Sequence, residues 1–118
     1  MSKILIIEDD PLMFRMYKKI FTFEDFEVDV AADGEEGLKK AKEWKPNIIL
    51  LDMMMPKLSG ADFLQKLKES GKPVPVVVLS NLSNDEMAKK AQELGAKEYL
   101  VKANLTPGEV VKKVQKYI

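Results

Sequence analysis

The chain contains no cysteine and no histidine. The first absence excludes disulfides, zinc–thiolate sites and thiol nucleophiles, and it suits a reducing cytoplasm, the compartment expected here. The second removes Ser-His-Asp chemistry, imidazole metal ligation and any phosphohistidine on this chain. An excess of one charge is also lacking: 19 basic and 19 acidic side chains leave a formal net charge of zero. That balance gives no electrostatic footprint for nucleic acid, so no direct nucleic-acid partner is expected. Long apolar runs are missing as well. The N-terminus opens Met1-Ser2-Lys3 and enters the short apolar stretch Ile4 to Ile7, too short for a signal peptide or a membrane span, so no membrane partner is expected. Chemistry must come from carboxylates, lysines, hydroxyls and backbone groups.

What is present fits one domain spanning residues 1–118, long enough to bury a core without staples. Five short apolar runs stand out: Ile4 to Ile7, Val28 to Ala31, Ile48 to Leu51, Val74 to Leu79 and Tyr99 to Val101. The first, third and fourth show no polar alternation, the pattern of parallel strands covered on both faces by helices. Between them lie stretches of helical period that open with capping chemistry. Asp33-Gly-Glu-Glu36, Ser83-Asn-Asp-Glu86 and Thr106-Pro-Gly-Glu109 have capping-box spacing. Asp10 before Pro11 reads as a further N-cap, and Gly95 as the stop of a helix over Asp85 to Leu94. In the first helical stretch, Met13, Phe14, Met16, Ile20 and Phe21 are spaced as a core face. Lys39-Lys40, Lys89-Lys90 and Lys112-Lys113 fall on outward helix faces, where solvation is expected. Strand and helix alternate throughout, so the expected fold is α/β: a five-stranded parallel sheet of order 2-1-3-4-5, doubly wound into a three-layer sandwich.

The polar residues gather at the strand ends. Glu8, Asp9 and Asp10 follow the first strand, Asp52 the third, Ser80 closes the fourth and Lys102 follows the fifth. Open α/β sheets build sites beyond the carboxyl ends of their strands, where strand order reverses. Singly, each residue has a plain structural explanation, and Asp10 is spent on its cap. Their coincidence at four strand ends points to a site. Clustered carboxylates call for a divalent cation, and all-oxygen ligands favour Mg²⁺ or Mn²⁺. A carboxylate beside that metal can attack phosphorus to give an acyl phosphate, with Lys102, Ser80 and backbone N–H groups neutralising the phosphoryl oxygens.

The chain resembles the response-regulator receiver domain, the CheY-like family, along its whole length. Ile4-Leu-Ile-Ile-Glu-Asp-Asp is similar to the family's first strand and acidic pair. Asp52-Met-Met-Met-Pro56-Lys-Leu-Ser-Gly60 is similar to its phosphoacceptor signature. Val76-Val-Val-Leu-Ser80 and Gly95-Ala-Lys-Glu-Tyr99-Leu-Val-Lys102 match the strands carrying the hydroxyl, the switch aromatic and the lysine. The resemblance implies a flavodoxin-like fold and a phosphoacceptor switch rather than an enzyme, one that promotes only its own phosphorylation and dephosphorylation. Asp52 would accept phosphate from a sensor histidine kinase, a histidine phosphotransfer protein or a small phosphodonor. Glu8, Asp9, Asp52 and the Met54 backbone carbonyl would hold Mg²⁺; Lys102 and Ser80 would bind phosphoryl oxygens. Ser80 and Tyr99 would form the switch that alters the face of the fourth helix, fifth strand and fifth helix for a downstream target protein.

Two positions depart from the family pattern. Ala103 replaces the proline that usually follows the lysine, so a trans bond and a different loop are expected, because a cis bond before alanine costs roughly 3–4 kcal/mol. Asn81 replaces a small residue after the hydroxyl. These departures sustain an alternative, a degenerate receiver acting as a phosphate-independent interaction module. Met54 and Leu82 are expected to shield the phosphoryl group from water, since neither side chain can orient an attacking molecule.

Overall fold

Five strands alternate with helices along the chain: β1 (Lys3–Ile7), α1 (Pro11–Phe23), β2 (Glu27–Ala31), α2 (Gly34–Trp44), β3 (Ile48–Leu51), α3 (Gly60–Glu69), β4 (Val76–Ser80), α4 (Asp85–Glu93), β5 (Glu98–Val101) and α5 (Pro107–Gln115). The structure is a computed structural model that describes residues 1–55, 57–71, 74–81 and 85–118. All strands pair in parallel, in the order β2-β1-β3-β4-β5. The expected topology is therefore the observed one.

The continuous apolar runs become the three central strands because both their faces are covered. Leu5, Ile7, Ile49, Leu51, Val76 and Val78 point toward a core completed by α2, α3 and α4. Ile4, Ile6, Ile48, Leu50, Val77 and Leu79 point the other way, toward α1 and α5. Each such side chain, fully buried, stabilises the fold by about 1.5–3 kcal/mol. The fourth strand starts at Val76, two residues later than its apolar run. Pro75 has no N–H to offer a ladder, although its carbonyl still accepts from Ile49 N–H at 3.0 Å.

Local chemistry sets the helix ends. Asp10 caps α1, its carboxylate accepting from Leu12 N–H at 3.0 Å, with Pro11 in the first turn. Thr106 and Glu109 form a complete capping box at α5. Asp33 accepts from Glu36 N–H at 2.9 Å, but Glu36 reaches back to Ala32 N–H rather than to Asp33. The box expected at Ser83 lies outside the described residues. Gly95, at φ +101°, follows the end of α4 as expected.

In the first helix, Phe21 is buried, while Met13, Phe14, Met16 and Ile20 pack partly against the core. The lysine pairs do not all behave as expected. Lys40 is not a solvated surface lysine: it lies against β2, 3.1 Å from Asp29 and 3.2 Å from Glu36. The packing of α2 against β2 brings Asp29 within its reach, a contact that helical periodicity cannot reveal.

Close packing also fixes the loop after β3. A Cβ on Gly60 would stand 2.6 Å from Met53 Cα and 2.9 Å from the Asp52 carbonyl oxygen. Gly60→Ala is expected to lower stability by roughly 1–3 kcal/mol, measured by urea unfolding, because backbone must shift to admit the methyl group.

Candidate phosphoacceptor site

Register brings the carboxylates together. Ile7 of β1 pairs with Leu51 of β3, and Asp52 N–H donates to the Ile7 carbonyl at 3.0 Å. Glu8 and Asp52 therefore leave neighbouring strands at the same height, about 4.8 Å apart in a parallel sheet. Carboxylate oxygens of Glu8, Asp9 and Asp52 lie within 4.8 Å of one another. Glu8 and Asp52 are only 3% and 7% exposed, while Asp9 faces solvent. Tyr17, Leu79 and the strand ends close the rear of the cluster around a void of about 10 Å³, too small for more than one water. The carboxylates thus open only toward the rim.

Lys102 reaches this cleft. It ion-pairs with Glu8 and stands 3.8 Å from Asp52 Oδ2, with its side chain almost fully buried. No peptide bond among the described residues is cis, so Lys102–Ala103 is trans as expected. The loop takes up a 3₁₀ turn over Lys102–Asn104. With Ala103 in this turn, the Lys102 ammonium still reaches the cleft. Ser80 ends β4 fully buried. Strand alternation sets it on the same face as Val78, which pairs with Tyr99 of β5. Tyr99 is half-buried, its hydroxyl 3.7 Å from Met87 Sδ. The Met54 side chain is exposed, and its N–H donates to Asp52 Oδ1 at 3.1 Å. Asn81 is exposed. Leu82 lies outside the described residues.

Two participants were not legible in the motif pattern. Tyr17 is buried on α1, and burial, then the charge of Glu8, pushes its hydroxyl up to about 12. Its spacing, four residues from both Met13 and Phe21, carries the signal. Lys57 sits in the left-handed region at φ +65° and pairs with Asp33 at 3.5 Å, tying the loop after β3 to the cap of α2. A groove of about 350 Å³ between α3 and α4 lies at the opposite end of the sheet, lined by Leu67, Val74, Val76 and Leu94. It holds no cluster of metal-ligating groups among the described residues.

The donor set fits a hard divalent cation: three carboxylates, two of them buried, with the Lys102 ammonium already engaged by Glu8. Burial, then hydrogen bonding and charge from Asp52, raises the Glu8 pKa against the pull of Lys102. Partial desolvation where Asp9 meets the cleft edge, supported by Glu8, raises that of Asp9. The folded chain consequently holds these protons more tightly than the unfolded chain. The resulting stability is complete below the ordinary carboxylate range of roughly pH 4 and is lost as pH rises through the folded pKa values. Metal-free Asp9→Asn is expected to lose less stability than wild type as pH rises from about 4 to 7, and to melt higher at neutral pH. Mg²⁺ is expected to raise the melting temperature of wild type and leave the variant nearly unchanged; thermal unfolding with and without Mg²⁺ checks both. Trp44 ends α2 at the far end of the sheet, with the Lys3 ammonium 5.4 Å from its ring centre. Its fluorescence is expected to change little when Mg²⁺ is added, and a titration reads this directly.

Residues 4–115 match the model of the response regulator receiver domain. The chain is 32% identical to the chemotaxis protein CheY of Thermotoga maritima over 98% of its own length and 96% of that protein. It is 38% identical to the CheY of Treponema pallidum, over 85% of this chain and 72% of that one. A chain of the CheX–CheY–BeF3–Mg²⁺ complex of Borrelia burgdorferi superposes with a TM-score of 0.91 at 33% identity, covering 98% of this chain and 87% of that one. Transcriptional regulators among the relatives are longer, and the chain spans 42–47% of them. No helix among the described residues is long and apolar enough to cross a membrane. The chain belongs to the response regulator receiver domain family, the phosphoacceptor switches of two-component signalling.

Proposed function

We propose that Asp52 is the phosphoacceptor and that residues 1–118 form one receiver domain working in the cytoplasm. The observation that carries this is the convergence of Glu8, Asp9 and Asp52 within 4.8 Å, with the Lys102 ammonium 3.8 Å from Asp52. An Asp52 carboxylate oxygen forms a bond to phosphorus as the P–N bond of a phosphohistidine, on a sensor kinase or histidine phosphotransfer protein, breaks. The imidazole leaves as the electron-pair acceptor and takes up a proton from water. A small phosphodonor such as acetyl phosphate loses its P–O bond in the same way. Lys102 and the Ser80 hydroxyl bind the equatorial oxygens of the transferring group.

Glu8, Asp9, Asp52 and the Met54 backbone carbonyl hold Mg²⁺ or Mn²⁺, whose charge offsets that of the phosphoryl oxygens. The Borrelia complex, solved with BeF3 and Mg²⁺, supports this assignment. Once Asp52 is phosphorylated, Lys102 turns from Glu8 toward the new dianion and Ser80 follows. Tyr99 then repacks, and the face made by α4, β5 and α5 changes for a downstream target. The phosphate-independent alternative drew on Ala103 and Asn81, yet Lys102 is seated in the cleft and Asn81 is exposed.

Intact mass after incubation with acetyl phosphate and Mg²⁺ tests the reading. Wild type is expected to gain one phosphoryl group and to gain none with EDTA. Asp52→Asn is expected to gain none, and Lys102→Met to be labelled at least tenfold more slowly. An unlabelled wild type with intact circular dichroism would instead favour the phosphate-independent module.

A further inference from the structure

β2 is an edge strand. Glu27 N–H donates to the Ser2 carbonyl at 2.9 Å, and the Ala31 carbonyl accepts from Glu8 N–H at 3.0 Å. Alternate residues of a parallel strand direct their peptide groups to opposite sides, so Val28, Val30 and Ala32 face outward. Such an edge is a ready template for another strand. Here side chains of the chain itself occupy it. Val30 N–H donates to Asp29 Oδ1 at 2.8 Å, the Val30 carbonyl accepts from Lys40 Nζ at 2.5 Å, and Ala32 N–H donates to Glu36 Oε2 at 3.3 Å.

The three side chains also bind one another. The Lys40 ammonium lies 3.1 Å from Asp29 and 3.2 Å from Glu36. Glu36 and Lys40 stand four residues apart on one face of α2. Burial works against the charge on Lys40, but its hydrogen bonds to Asp29 and Glu36 outweigh that and raise its pKa. None of the three takes part in the phosphoryl chemistry. Within β2, only Val28 keeps an open outward pair among the described residues. That strand is rich in β-branched valine, so with its edge uncovered it would suit pairing with its own copy.

We propose that Asp29, Glu36 and Lys40 form a guard that closes the β2 edge to a second copy of this chain. Removing the guard opens β2-to-β2 pairing across a twofold axis, which would join two sheets into one.

Amide exchange on the wild-type monomer, followed by NMR, is the first test. Val30 and Ala32 are expected to exchange at least tenfold more slowly than Val28, whereas equal rates at all three would overturn the proposal. The second test compares wild type with Asp29→Ala/Glu36→Ala/Lys40→Ala by sedimentation equilibrium up to millimolar protein. The variant is expected to dimerise with a Kd at least tenfold lower, with Val28 gaining protection as concentration rises. A folded variant that associates no more than wild type, or one whose association leaves Val28 unprotected, refutes the guard. If the triple variant does not fold, Lys40→Met is read by the same criteria.

Discussion

The register of β1 against β3 is the constraint from which the site follows. Ile7 and Leu51 are paired, so the residues that succeed them cannot avoid one another. Like charges at 4.8 Å repel by roughly 3 kcal/mol at an effective dielectric of 20. Relief by moving apart is closed off, because both strands are buried on both faces. The carboxylates can relax only by taking a proton, engaging Lys102 or binding a cation. All three routes act on the same few oxygens, which makes the rim responsive to whatever positive charge is offered.

A strained rim is tolerable because the rest of the fold is consistent. The strands bury continuous apolar runs, each described helix start carries a matching cap where one is seen, and no buried side-chain polar atom among the described residues lacks a partner. Gly60 lets the loop after β3 pack directly on Asp52 and Met53, and Lys57 ties that loop to the α2 cap. The scaffold thus holds Asp52 from behind and from the side. Freedom is left in front, where Met54 and Asp9 meet solvent.

The fold was legible in the sequence because its signals are local. Apolar runs without alternation announce strands covered on both faces, and Asp10-Pro11 or Thr106-Pro107 announce helix starts within a few residues. The Ser59 cap of α3 went unread because its partner position holds Asp62 rather than the glutamate or glutamine of a capping box. Carboxylates at strand ends were legible once the strand order was assigned. What could not be read was tertiary. Lys40 looks like any outward helical lysine until β2 is laid beside it, and the reach of Lys102 depends on Glu8, distant in sequence. Tyr17 was within reach of periodicity, but its nearness to Glu8 was not.

Charge balance links the metal to the phosphoryl group. Three carboxylates and one ammonium give the cleft a formal charge of −2 when all are ionised. Adding a phosphoryl group to Asp52 raises the negative charge by up to about one unit, in a pocket already short of cations. Lys102 alone cannot serve Glu8 and the new dianion together. Glu8, Asp9 and Asp52 would hold a divalent cation whose charge could replace that of Lys102 beside Glu8, leaving the ammonium for the phosphate. Each ligand therefore lowers the free-energy cost of the other, and the coupling must be reciprocal. In the proposed switch, release of Lys102 from Glu8 would therefore answer to the pair of ligands rather than to either one.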